Sequence, residues 1–137
     1  MASAHDIEGH IFIRFALVGR PVLNGLAGKG QRRRRDPLSA TLFARDIVGS
    51  LRRQISFSRQ GQPADDATVE EFLREAIWQI PTESFVDLVG IDAGRRDKTK
   101  REVSKALAAK LMAEFEIVDD PAFYHGHAGT GPLGPKA

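Results

Sequence analysis

The clearest periodicity in the chain lies at residues 69–80, where Val69, Phe72, Leu73, Ala76, Ile77 and Ile80 recur at steps of three and four. That spacing puts them on one face of a helix. Thr68-Val69-Glu70-Glu71 has the form of a capping box, and Pro81 stops the pattern. A second apolar line, Leu38, Leu42, Ile47, Leu51 and Ile55, follows Asp36-Pro37, an N-cap with proline at the first helical position. Thr82 to Val89 predicts a short helix closed by Gly90. Val103, Ala106, Leu107, Leu111 and Phe115 predict a last amphipathic helix. Its start is expected at a second capping box, Thr99-Lys100-Arg101-Glu102, after a hydrophilic turn from Asp92 to Lys98.

Strand signals are sparser. His10 to Val18 is rich in β-branched and aromatic residues, with Ile11, Ile13, Phe15 and Leu17 alternating against Phe12, Arg14, Ala16 and Val18. Apolar residues on both faces predict a strand covered on both sides. Its hydrogen-bonding neighbours are expected in Ile55-Ser56-Phe57 and Phe115 to Val118, or in another chain. Residues 19–37 read as a long basic loop with Gly19, Pro21, Gly25, Gly28 and Gly30, and residues 119–137 as an irregular Gly/Pro tail. The expected fold is α+β and mostly helical, with about four helices and a short N-terminal strand in a small sheet. Residues 1–118 make one compact domain.

Composition narrows the setting. Of 137 residues none is cysteine, so disulfides and thiolate metal sites are excluded. The first residues lack a secretory signal, and no apolar run approaches the ~20 residues that span a bilayer. The expectation is a soluble, cytoplasmic protein with no membrane partner. Charge changes the picture more. Residues 1–60 carry 11 Arg/Lys and four acids, whereas residues 61–137 carry nine Arg/Lys and 14 acids. The first half suits an anionic partner, and the two halves also suit each other, within a chain or between copies.

The basic excess concentrates at Arg20, Lys29 and the run Arg32, Arg33, Arg34 and Arg35, with Arg45, Arg52 and Arg53 on the outer side of the helix that follows. Guanidinium groups suit phosphates because they stay charged and donate in bidentate fashion. These nine residues are the candidate nucleic-acid contacts, for DNA or RNA. Gly25-Leu26-Ala27-Gly28-Lys29-Gly30 is not a Walker loop, because Leu23 and Gly30 stand where that motif needs glycine and Ser/Thr. Leu88-Val89-Gly90-Ile91 has the look of a helix-turn-helix turn, but the next apolar pattern starts only at Val103, which predicts a looser helix pair. Arg95, Arg96, Lys98, Lys100 and Arg101 form a second basic patch. His125-Gly126-His127 in the tail has no third ligand, and no catalytic set, metal site or cofactor motif is legible.

Gly19-Arg20-Pro21-Val22 after a strand, a basic loop, a helix, then Arg96-Asp97 and Asp119-Asp120 resembles, over short patches, the layout of RusA-type Holliday-junction resolvases. Thr99 and Lys100 replace that family's paired Asp and Asn. The resemblance implies a Mg²⁺-dependent nuclease acting on branched DNA, with Asp97 and Asp119 among the clustered aspartates. Two other readings come from the residues themselves. One is a non-catalytic, basic, nucleic-acid-associated protein within a larger complex. The other is a structural subunit of a homo-oligomeric or phage-type assembly.

Overall fold

The computed structural model describes residues 4–30 and 33–119. Six helices and a small antiparallel sheet occur among them, in the order α1 (Ala4–Leu17), α2 (Arg20–Ala27), α3 (Pro37–Leu51), β1 (Ile55–Arg59), β2 (Gln62–Pro63), α4 (Asp66–Trp78), α5 (Thr82–Val89), α6 (Ala93–Glu114) and β3 (Glu116–Asp119). The class is α+β and mostly helical, but the sheet lies mid-chain and not at the N-terminus. Among the described residues no helix is long and apolar enough to cross a membrane. The remaining tail, 120–137, with His125 and His127, lies outside the described residues.

The expected N-terminal strand is a helix. Ile7, Ile11 and Phe15 are buried while Gly9 and Ile13, two residues on from Ile7 and Ile11, are exposed, a pattern that a helix produces and a strand does not. The β-rich composition of residues 10–18 masked it, because a short run apolar on both faces fits a buried strand or a buried helix equally well. The flank of α1 is polar and specific. The Arg14 guanidinium donates to both carboxylate oxygens of Asp46 on α3 at 2.7 and 2.8 Å. One turn earlier, His10 Nε2 lies 2.5 Å from the Ser50 hydroxyl. Phe15 and Phe43 meet edge to face beneath that seam, with ring centroids 4.8 Å apart.

Two helix starts also move. The α4 cap is Asp65, whose carboxylate accepts the Thr68 N–H at 2.9 Å. The α6 cap is Asp92, accepting the Arg95 N–H at 3.0 Å, so the stretch expected as a turn is the first two turns of a 22-residue helix. Each cap is an Asp standing upstream of the Thr that imitated one. As expected, Asp36 caps α3, with Pro37 in the first turn. Gly90 likewise closes α5.

The two expected strands pair with each other, Ile55 opposite Asp119 and Phe57 opposite Ile117. Gln60 and Gly61, at φ 53° and 78°, turn β1 into β2, the double positive φ of a type I′ two-residue hairpin. Phe57, Leu73, Ile77, Phe85, Leu107 and Leu111 fill a core shared by sheet and helices.

The seam between α1 and α3 makes stability depend on pH. Burial, reinforced by the Arg14 charge and opposed by Asp46, holds the His10 imidazole below its ordinary pKa of 6.5. The unfolded chain therefore takes up that proton first. The His10 contribution is complete above about pH 6.5 and is lost as pH falls through the lower folded-state value. Urea unfolding between pH 7 and pH 5 should show declining stability, and His10→Gln should flatten that decline. The same slope in both proteins contradicts the assignment.

Candidate nucleic-acid interface

Residues 20–27, expected as loop, form α2. Pro21 sits in its first turn, where no backbone N–H is needed. Gly28 ends it at φ 73°, with the Lys29 N–H donating to the Asn24 carbonyl at 2.8 Å. The legible signal was this Pro-to-Gly spacing, obscured by the density of glycines around it. From Gly28 the chain turns back, and the Asp36 N–H reaches the Gly25 carbonyl at 2.9 Å. A basic hairpin-like crossing thus joins the end of α2 to the start of α3.

Gly25 makes the crossing close. A Cβ built there would lie 2.0 Å from Ser39 Oγ and 3.0 Å from Ser39 Cβ. Above this contact opens a cleft of about 580 Å³, lined by Asn24, Gly25, Lys29, Gly30, Arg34 and Asp36. Lys29 and Arg34 on its wall, and Arg33 beside Arg34 in the chain, are exposed, and no described residue pairs with them. Arg33 holds a left-handed conformation, φ 57°, with its N–H on the Gly30 carbonyl at 3.0 Å. Such a conformation costs a bulky residue about 1 kcal/mol. Arg32 lies outside the described residues.

The structure divides the other candidate arginines by role. Arg35 turns inward: Nε donates to the Leu26 carbonyl at 2.9 Å and Nη1 to the Trp78 carbonyl at 3.1 Å. Its guanidinium lies over the Trp78 ring at 4.3 Å and over the Phe85 ring at 5.7 Å. Burial pulls its pKa below the ordinary guanidinium value. Arg20 donates to the Val89 carbonyl at 2.8 Å, fastening α2 to the end of α5. Arg52 meets Asp66 at 2.7 Å, and Arg45 approaches Glu70 at 3.8 Å while staying 62% exposed. Arg53 is exposed and has no partner among the described residues.

Part of the charge asymmetry is therefore neutralised within the chain. Arg45–Glu70, Arg52–Asp66 and Arg59–Glu114 each join a cation of the first half to an acid of the second. Of the nine candidate cations, Lys29, Arg33, Arg34 and Arg53 face outward with no partner among the described residues. Of the resolvase-like layout, Gly19 precedes a helix and follows one. Asp97 pairs with Arg101 on α6 at 2.9 Å, and Asp120 lies outside the described residues. Among the described residues no three His, Asp or Glu side chains converge on a metal-sized site. Comparison with protein-family models, curated proteins and solved structures finds no match.

The cleft depends on Gly25, and glycines elsewhere provide the control. Gly25→Ala gains helix propensity but overpacks Ser39, and should destabilise the protein by about 1–2 kcal/mol. Gly9→Ala and Gly49→Ala, in helix interiors with nothing within 4 Å of the added carbon, should each stabilise by about 0.5–1 kcal/mol. Urea unfolding of the three variants checks both signs, and a neutral Gly25→Ala refutes the close crossing.

Proposed function

We propose that the protein is a non-catalytic nucleic-acid-associated component of a larger complex, and that it holds the sugar-phosphate backbone at the α2–α3 crossing. The observation that carries this reading is the set Lys29, Arg33 and Arg34. Lys29 and Arg34 line one open cleft and Arg33 is exposed next to Arg34 in the chain, while the neighbouring arginines serve the fold or pair with acids. Glycines on either side of Lys29 leave room for a ligand's backbone to come close. Flexible cationic side chains at a shallow surface suit phosphates without selecting a base, and Arg53 at the far end of α3 extends the same sign of charge. Asp36 on the cleft wall orients α3 by capping it through the Leu38 N–H.

A homo-oligomeric structural subunit is a second reading, favoured by a different surface. Ile13 and Leu17 on α1 and Leu38 and Leu42 on α3 are four of the six large apolar side chains exposed among the described residues. The contacts of residue 10 with 50 and of 14 with 46 make the two helices antiparallel, so Leu17 and Leu42 lie at the same level. An apolar face across two helices suits a second copy in a four-helix arrangement. Light scattering decides between states: a dimer that Leu17→Glu dissociates supports this reading, and a monomer at all concentrations removes it.

For the leading reading, fluorescence anisotropy with a labelled oligonucleotide should show affinity falling steeply between ~50 and ~200 mM salt. Replacing Lys29, Arg33 and Arg34 together by Ala should lower the slope of log affinity against log salt by about 3. Binding that keeps its affinity and slope in that variant contradicts the site.

A further inference from the structure

The approach to α6 has a geometry that the apolar pattern concealed. Its helix begins at Ala93, so only Gly90, Ile91 and Asp92 separate it from α5. A three-residue turn containing glycine between two packed helices fits the joint of a helix-turn-helix. The joint is braced from both sides. Arg20, from α2, donates to the Val89 carbonyl at 2.8 Å, and Arg96, from α6, donates to the Gly90 carbonyl at 2.7 Å. Two cations on the last carbonyls of α5 satisfy groups that a helix end leaves open. Asp92 then fixes the direction of α6 through the Arg95 N–H. At the tip, Ile91 is 98% exposed, an apolar side chain that packs on none of the described residues.

The face that α6 presents is equally specific. Thr99, Val103, Leu107 and Leu111 are buried. Gly94, Lys98, Arg101 and Lys105 recur at steps of four, three and four on the opposite side, and all four are exposed. No acid falls on that line. Asp97 flanks it and pairs with Arg101, and Glu102 flanks the other side. Lys98 and Lys105 have no partner among the described residues. Residues 93–105 hold six cations against two acids.

We propose that α5, the Gly90–Asp92 turn and the first half of α6 act as a helix-turn-helix, placing the Gly94–Lys98–Arg101–Lys105 line in the major groove of duplex DNA. This rests on the nucleic-acid reading of the protein and names duplex DNA as its ligand. An α-helix fits the major groove, whose width of about 12 Å matches a helix with its side chains. The missing side chain at Gly94 lets the helix start approach a strand closely. Lys98 and Lys105 on this line supply phosphate contacts along the groove. Ile91 at the turn is positioned for the sugar edge or a thymine methyl group.

The test uses the full chain, a labelled mixed-sequence duplex of about 25 base pairs, and the same duplex carrying glucosylated 5-hydroxymethylcytosine, whose sugars fill the major groove. Glucosylation should weaken binding at least tenfold. Lys98→Ala/Lys105→Ala should weaken binding to the plain duplex at least tenfold and lower the salt slope by about 2. Equal affinity for the two duplexes, or wild-type affinity in the double variant, overturns the proposal. If the Lys29/Arg33/Arg34 variant still binds more weakly in that case, the α2–α3 crossing stands and only the groove placement falls. A wild-type protein that binds neither duplex overturns the groove proposal together with the backbone reading.

Discussion

The Arg35 guanidinium is the tie on which the helical half of the molecule depends. It reaches from the start of α3 to the last turn of α2 at Leu26 and the last residue of α4 at Trp78, and it stacks on an aromatic ring from α4. Helix ends leave carbonyls without partners, and one planar cation satisfies two such ends. Removing a guanidinium from water is costly, and here the cost is offset by two charge-assisted hydrogen bonds and the ring face. The surrounding residues make that geometry possible. Gly28 ends α2 in the left-handed region, Gly25 admits Ser39, and Asp36 caps α3 immediately after the arginine. Gly25, Gly28, Arg35 and Asp36 therefore set the relative placement of α2, α3 and α4.

This constraint changes what the arginine run means. Composition presents Arg32 to Arg35 as one equivalent patch, whereas the fold uses its last member for packing and leaves Arg33 and Arg34 facing outward. The same division runs through the basic half of the chain. Arg14 holds α1 to α3, Arg20 holds α2 to α5, and Arg52 and Arg59 meet acids of the second half. The strong charge asymmetry is partly an internal attraction, and the outward remainder is smaller and more local than its arithmetic suggests. Two positive surfaces remain, the α2–α3 crossing and the outer line of α6. The Arg20 and Arg96 braces on the end of α5 connect the first structurally to the second.

Much of the fold was legible where local signals agreed. The α3 cap and proline, the α4 periodicity, the short α5 with its closing glycine, and the β1 and β3 segments all appear near their expected places. The failures share a cause. Residues 10–18 are apolar on every side, so the period that separates helix from strand carries no contrast, and Ile7 supplies the missing turn. The start of α6 is polar, and its buried face there consists of Thr99 and the stem of Arg96, which an apolar count passes over. In α2 the glycines suggested a loop, although one sits in a close helix contact and another forms the cap. The candidate site was legible in kind but not in membership, since no local pattern tells an arginine that folds inward from one that does not.

The contrast between neighbouring arginines tests this division most directly. Urea unfolding and oligonucleotide anisotropy should be measured on Arg34→Ala and Arg35→Ala side by side. Arg35→Ala should lose about 2–4 kcal/mol of stability, while its folded fraction keeps near-wild-type affinity. Arg34→Ala should change stability by less than about 0.5 kcal/mol and lose affinity. Equal effects of the two substitutions on stability would contradict the assignment of Arg35 to the fold and Arg34 to the surface.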